Sequence, residues 1–131
     1  MKEYFNFEIP ENFRVYEKEF GIEGIQDKKD NFMKVLKKDA VVAFTLRADP
    51  TNPNDPNAIA IFAKRKGFFG QVERPIGYLP KKISSHILKT ELLSFLMIRP
   101  RKLYIGDDNY IGFSFDILGR KDTFKQYKNA S

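Results

Sequence analysis

The chain has 131 residues, a formal charge of +6, 42% hydrophobic and 15% aromatic residues, which suits one compact domain with its own apolar core. It contains no cysteine and one histidine, His86, and this excludes disulfides, thiolate nucleophiles, zinc fingers and histidine-cluster metal sites. The sequence has no secretory signal and no apolar run of about 20 residues, so we expect a cytoplasmic protein.

The first third of the sequence predicts an arm, a strand and a short helix. Residues 1–14 mix charges with isolated aromatics, which indicates an extended N-terminal arm. From Tyr16, the apolar Phe20 and Ile22 alternate with polar residues beside two glycines, a pattern typical of a half-buried strand that enters a bend. Asp30 then offers an N-cap for the short helix.

The middle of the sequence predicts three strands. Residues 40–47 and 58–64 are apolar and rich in β-branched side chains, as strands are. Between them, the run DPTNPNDPN at 49–57 contains three prolines, and its Asn and Asp side chains can cap backbone amides, so we expect a rigid loop. Residues 64–74 predict a basic hairpin tip, and residues 75–80 a very short strand.

The last third predicts an amphipathic helix from Ile83 to Phe95, a closing hairpin around residues 107–109, and a polar tail that frays. Short, mostly antiparallel strands with one long and one short helix indicate a mainly β fold, a β-barrel of the OB or SH3-like kind. The residues expected in one core are Phe20, Ile22, Phe44, Leu46, Ile59, Ile61, Ile76, Leu79, Ile87, Leu88, Phe113 and Phe115.

Charge is unevenly distributed along the chain. Residues 1–60 contain nine Lys or Arg and eleven Asp or Glu, whereas residues 61–131 contain fourteen and six. A basic half suits a polyanionic partner such as nucleic acid. Basic residues also serve solubility alone, and both interpretations stay open.

No enzyme signature is present: the sequence has no GxSxG elbow, P-loop, GxGxxG or HExxH motif. Ser84, Ser85 and His86 are adjacent, but neighbours on a helix point in different directions and cannot form a triad. Asp107 and Asp108 are explained by turn chemistry. We therefore expect a protein that is not an enzyme and has no catalytic residue, metal or cofactor.

Two motifs carry a resemblance to a known family. Residues 52–59 read NPNDPNAI at the entry to a strand, and residues 76–80 read IGYLP. Both motifs, at this separation, resemble the hallmarks of the HIRAN family, and the element order over residues 16–120 fits as well. The chain then divides into an N-terminal arm at 1–14, a HIRAN-like β-barrel domain at 15–120 and a polar C-terminal tail at 121–131.

The resemblance implies a modified OB-type barrel that binds DNA, and in the best understood members the 3′ end of a single strand. Family members occur fused to fork-remodelling ATPases or nucleases and also as short stand-alone bacterial proteins, and this chain looks like the latter. Membership would imply a DNA-binding accessory to DNA repair or processing, with a helicase or nuclease as protein partner.

The resemblance also implies a pocket for a terminal nucleotide. Asn52 and Asp55 would line it, since a carboxylate accepts from a terminal hydroxyl and an amide both donates and accepts. Tyr78 would stack on a base, and Lys81, with Lys82 as helper, would meet a phosphate. Each residue has a structural alternative: the loop side chains cap their own backbone, the tyrosine belongs to the core, and the lysines are simply solvated.

One departure from the family pattern affects this pocket. End-binding members carry a basic residue and then stacking aromatics after the first strand, whereas this chain has Gln26, Asp27 and Lys28. Stacking then falls to other aromatics, or end binding has been altered or lost. The candidate aromatics are Tyr110 of the last hairpin and Phe68 and Phe69 of the hairpin tip.

Two functions remain open. In the first, the domain binds nucleic acid, and basic residues of the hairpin tip attract the phosphate backbone: Lys64, Arg65 and Lys66. In the alternative, a protein-interaction domain of the same fold binds a peptide through the aromatic tip, with end binding lost. Steep salt dependence is typical of the first and not of the second.

Overall fold

A computed structural model of the chain describes residues 2–35, 42–67 and 70–130. Its elements are β1 Lys2–Tyr4, β2 Phe13–Gly21, α1 Lys29–Val35, β3 Val42–Ala48, β4 Ile59–Gly67, β5 Gly70–Tyr78, α2 Lys81–Thr90, β6 Met97–Ile105, β7 Ile111–Arg120 and α3 Phe124–Asn129. Short 3₁₀ turns lie at Ile25–Lys28, Leu93–Phe95 and Lys121–Thr123. The mainly β prediction is confirmed, and the predicted order gains β1 in the arm and α3 in the tail.

The strands form two antiparallel sheets. One has the order β1-β6-β7-β2 and the other the order β3-β4-β5. The segment after β2 joins them: the Ile22 amide donates to the Phe113 carbonyl over 3.1 Å, and Glu23 exchanges backbone hydrogen bonds of 2.8 and 2.9 Å with Tyr78. The described strands therefore make two sheets that meet at one corner, and they do not close a barrel.

Gly77 permits the close approach at this corner. A Cβ at Gly77 would lie 2.7 Å from the Glu23 carbonyl oxygen and 3.2 Å from the Ile22 side chain. Any larger residue would push β5 away from the segment that joins the sheets. The glycine of the IGYLP motif is thus explained by backbone packing.

The core fills the space between the two sheets. The Phe113 ring lies 4.3 Å from Phe115, 5.4 Å from Phe44 and 5.9 Å from Phe32, measured between ring centroids. Nine of the twelve predicted core residues belong to this buried cluster, and the other three, Phe44, Leu46 and Leu88, are partly buried and pack against it. Fully burying one such side chain contributes about 1.5–3 kcal/mol, so this cluster is the main source of stability.

Two helix predictions are corrected. Asp30 does not cap α1 but lies inside it, because the preceding 3₁₀ turn leads directly into the helix. The long helix ends at Thr90 instead of Phe95. Thr90 Oγ1 donates to the Ile87 carbonyl over 2.6 Å and accepts from the Leu92 amide over 3.1 Å, while Glu91 adopts a left-handed φ of 60°. These local hydrogen bonds replace the next helical turn.

The tail does not fray, in contrast to the prediction. It forms α3, in which Tyr127 is only 4% exposed and lies 4.7 Å from the Tyr16 ring, between centroids. The Tyr127 hydroxyl donates to Glu17 over 3.2 Å, and the Tyr16 hydroxyl donates to the Arg120 carbonyl over 2.6 Å. A single buried tyrosine therefore anchors a segment whose composition is otherwise polar.

Candidate nucleic-acid interface

The predicted pocket loop, residues 49–57, is held by its own side chains. Asn52 Oδ1 accepts from the amides of Asn54 at 2.9 Å and Asp55 at 3.1 Å. Asp55 Oδ1 accepts from the Asn57 amide at 2.9 Å. Asn52 and Asp55 thus cap the loop backbone, which is the structural role left open by the sequence, and both remain partly exposed.

Tyr78 connects this loop to the corner between the sheets. Its hydroxyl donates to Asp49 Oδ2 over 3.3 Å, and the Asp49 amide closes the loop by donating to the Ala58 carbonyl over 2.8 Å. Burial raises the pKa of Tyr78, and the charge and hydrogen bond of Asp49 raise this pKa further. Sequence reasoning missed Asp49, although its position before Pro50 at the end of β3 marks it as a loop-closing residue.

The turn that contains Gln26, Asp27 and Lys28 lies beside Tyr78 and contacts it through Gly24 and Lys28. Gly24 has a left-handed φ of 76°, and its Cβ position would lie 3.6 Å from the Tyr78 ring. Gln26 donates to the Ile111 carbonyl over 2.6 Å and accepts from the Ile111 amide over 3.2 Å, so it links the 3₁₀ turn to β7. Lys28 Nζ lies 5.7 Å from the centre of the Tyr78 ring, within cation–π range.

We call this region the Tyr78 junction: the loop 49–57, the Tyr78 ring and the 3₁₀ turn Ile25–Lys28. It carries charges of both signs. Asp49 and Asp55 belong to the loop and Lys28 to the 3₁₀ turn. The exposed Lys81 and Lys82 lie next to the junction in sequence, in the first turn of α2, which begins three residues after Tyr78. Carboxylates accept hydrogen bonds and repel phosphate, whereas lysines attract it. The junction therefore suits a ligand that offers a hydroxyl to the loop and phosphates to the lysines.

The basic end of β4 lies far from Tyr78. Ala60 of β4 pairs with Tyr78, whereas Arg65 pairs with Val72, which places Arg65 about 17 Å further along the strand. Arg65 also donates to the Lys34 carbonyl of α1 over 3.3 Å. The other predicted residues of this group are Lys64 and Lys66, which belong to β4, and Phe68 and Phe69, which lie outside the described residues.

Tyr110 lies on a different surface from the Tyr78 junction. It is 51% exposed, and its amide donates to Asp108 Oδ1 over 3.1 Å in the β6–β7 turn. Its ring lies 3.8 Å from the position that a Cβ on Gly112 would take. Because Gly112 alternates with the buried Phe113, this ring lies on the outer side of the four-stranded sheet. The structure thus places Tyr110 outside the Tyr78 junction.

The serine and histidine neighbours of α2 have structural contacts. Ser84 Oγ donates to the Lys81 carbonyl over 3.1 Å, and His86 Nε2 donates to the Tyr127 carbonyl over 2.6 Å, which ties α2 to α3. In the described part of the chain, no group of His, Asp and Glu is arranged to hold a metal ion. Within the same residues, none of the helices has the length and apolar character needed to cross a bilayer.

Comparisons with known proteins give one structural similarity to report. No family model matches the chain, and neither does any curated protein. Among solved structures, the chain is similar to the crystal structure of the HIRAN domain of human HLTF, with 15% sequence identity and a TM-score of 0.47 over 92% of this chain and 93% of that chain.

Proposed function

We propose that this chain is a DNA-binding module that holds the end of a single strand at the Tyr78 junction, and that it binds without catalysing a reaction. One observation carries the proposal. A partly buried tyrosine ring adjoins a loop rich in hydrogen-bond acceptors, Lys28 Nζ lies 5.7 Å from the centre of that ring, and two exposed lysines begin α2 three residues further along the chain. Stacking, hydrogen-bond acceptance and phosphate attraction are the three contacts that a terminal nucleotide requires.

The base, the 3′-hydroxyl and the phosphates of the strand end each have a different proposed contact. A terminal base stacks on the Tyr78 ring, which contributes about 1–3 kcal/mol per base in single-strand binding. Asp55 uses one oxygen for the Asn57 amide, and a carboxylate keeps further lone pairs that can accept from a 3′-hydroxyl. The phosphates extend toward Lys81 and Lys82, away from the loop carboxylates.

The cellular role follows from the family resemblance. We propose an accessory to DNA repair or processing in the cytoplasm that brings a helicase or nuclease partner to a DNA end. This extension rests on the NPNDPNAI and IGYLP motifs, and binding to DNA ends is its first requirement.

Anisotropy titrations with 5′-labelled single strands test the pocket. Each strand is made with a 3′-hydroxyl end or a 2′,3′-dideoxy end, and the two ends differ only in the 3′-hydroxyl group. We expect wild type to prefer the 3′-hydroxyl, Asp55→Ala to lose that preference, and Lys81→Ala to weaken binding to both strands. The salt slope of Lys81→Ala should become shallower by about 0.7, the value for one phosphate contact on a single strand.

Two controls separate binding from loop stability. Asp55→Asn keeps an acceptor for the Asn57 amide, so it should melt at the wild-type temperature. Asp55→Ala is interpreted only if its melting temperature stays close to that value. If Asp55→Ala folds and binds strands with either kind of 3′ end with wild-type affinity, the proposal that the loop holds a strand end is refuted.

A protein-interaction domain is the second candidate, because the structure contains an apolar groove of about 250 Å³. The N-terminal arm, β3, β6 and β7 line it, with Phe7, Phe44, Met97, Pro100 and Leu118 among the lining residues. Such a groove suits an apolar peptide segment. Peptide binding there would depend little on salt, which distinguishes it from phosphate contact.

A further inference from the structure

The four-stranded sheet carries tyrosines and lysines on its outer face, the face turned away from the core. On β6, Lys102 and Tyr104 alternate with the buried Leu103, so both point outward. Lys2 and Tyr4 of β1 stand directly opposite Tyr104 and Lys102. Tyr4 is 68% and Tyr104 39% exposed, and Lys102 Nζ lies 5.6 Å from the centre of the Tyr4 ring.

Small residues continue this face beyond Tyr104. Gly112 of β7 pairs with Tyr104, and Ser114 pairs with Gly21 of β2. A Cβ at Gly21 would meet no atom within 4 Å, and one at Gly112 would lie 3.8 Å from the Tyr110 ring and 3.9 Å from Tyr104. Ser114 Oγ is buried and has no hydrogen-bond partner among the described residues. Gly21 is therefore open on this face, and the Tyr110 ring packs beside Gly112 next to Tyr104, which brings the two tyrosines together.

This combination suits unpaired bases better than a peptide. Every base has a flat face that stacks on tyrosine, and the absence of a side chain at Gly21 leaves room on the sheet beyond the tyrosines. Lys2 and Lys102 favour a ligand with repeated negative charges. The carboxylates of Asp107 and Asp108 lie in the β6–β7 turn at one end of the face, so they direct phosphates toward the lysines at the β1–β6 edge.

We propose that this outer face is a second nucleic-acid contact, which stacks unpaired bases on Tyr104 and Tyr110 and holds their phosphates at Lys2 and Lys102. Tyr4 and Tyr104 are diagonal neighbours across β1 and β6, roughly 7–8 Å apart, so Tyr4 extends the stacking surface. The face contacts no strand end. It therefore goes beyond the Tyr78 junction and gives the chain affinity for the interior of a single strand.

A circular single-stranded oligonucleotide separates this face from the pocket for a strand end, because the circle has no ends. We expect wild type to bind the circle and Tyr104→Ala to weaken that binding roughly 5- to 150-fold, the loss expected for one base–aromatic stack. Tyr104→Phe keeps the ring and should stay within about twofold of wild type. Tyr78→Ala should bind the circle as wild type does and lose its preference for linear strands with a free 3′-hydroxyl.

The outcomes separate the two sites. If wild type binds linear strands with free ends but not the circle, the outer face is refuted and the junction stands. If Tyr104→Ala weakens binding of the circle and linear strands show no end preference, the junction fails and the outer face stands. A folded Tyr104→Ala variant with wild-type affinity for the circle refutes the outer face. Should Tyr104→Ala fail to fold, Lys102→Gln replaces it, and an unchanged salt slope for the circle in that variant overturns the proposal.

Discussion

At the scale of single residues, Asp116 joins three parts of the fold through one buried carboxylate. Its Oδ2 accepts from Arg99 at 2.6 Å and Arg101 at 2.7 Å on β6, and its Oδ1 accepts from the Glu19 amide of β2 at 2.6 Å. Arg99 also donates to the Phe7 carbonyl of the N-terminal arm over 3.0 Å. Burial raises the pKa of Asp116, but these hydrogen bonds outweigh burial and lower it.

Asp116→Asn should lower the free energy of unfolding by about 3–5 kcal/mol, because it leaves two guanidinium groups without their shared countercharge. Urea unfolding at neutral pH measures this change. The matched control is Asp122→Asn, which removes the partner of Arg120 in a solvent-exposed pair and should change stability little. If the two substitutions lowered the free energy of unfolding equally, burial of Asp116 would add nothing to the stability that its ion pairs contribute.

The same carboxylate predicts a pH dependence. Because folding lowers the pKa of Asp116, its stabilisation is complete above the unfolded value of about 3.9 and is lost as the pH falls through the folded value. The stability difference between wild type and Asp116→Asn should therefore shrink in acid. Urea unfolding of both proteins between neutral and acid pH measures it, and a difference that grows in acid would contradict the assignment.

At the scale of elements, the corner between the sheets depends on the absence of a side chain at one position. Gly77→Ala should destabilise the fold, because the new Cβ would lie 2.7 Å from the Glu23 carbonyl oxygen and would separate β5 from the joining segment. We expect a loss of about 1–3 kcal/mol in urea unfolding, typical of overpacking. Gly21→Ala is the control, since its Cβ would meet no atom within 4 Å.

The terminal helix α3 depends on Tyr127 in a comparable way. Tyr127→Ala should lower stability by about 3 kcal/mol, as other large aromatic truncations in a core do. Tyr127→Phe keeps the ring against Tyr16 and loses only the hydrogen bond to Glu17, so it should cost about 1 kcal/mol. Thermal or urea unfolding measures both variants, and similar losses in the two would contradict a packing role for the ring.

At the scale of the whole molecule, the sequence predicted the features that depend on short-range periodicity, namely the strands and their inward-facing residues. Alternation over β4 and β7 identified inward residues such as Ile61 and Phe115, because the period of a strand is local. The tail was misjudged because Tyr127 becomes buried through its contacts with Tyr16 and His86, both far away in sequence. The end of α2 at Thr90 was likewise set by side-chain hydrogen bonds that apolar spacing does not reveal.

The candidate site was only partly predictable for the same reason. Motif residues Asn52, Asp55 and Tyr78 lie in or beside one loop, as expected of segments that are neighbours in a hairpin. Asp49 enters through its hydrogen bond to Tyr78, and that pairing is not visible in the sequence. Arg65 has the positive charge expected of the interface, but it lies at the opposite end of β4 from the residue that pairs with Tyr78. The sequence did not predict this position, because a count of charges along the chain does not show where those charges lie in space.

The affinity of the purified chain for a single strand across a range of salt concentrations tests nucleic-acid binding most directly. With phosphate contacts at Lys81 and Lys82, the logarithm of the affinity for the Tyr78 junction should fall linearly with the logarithm of salt concentration, with a slope of about −1.4. Substituting Lys81 and Lys82 with Gln should reduce that slope by about 1.4. A slope near zero, or no binding at low salt, would contradict phosphate contact at the Tyr78 junction.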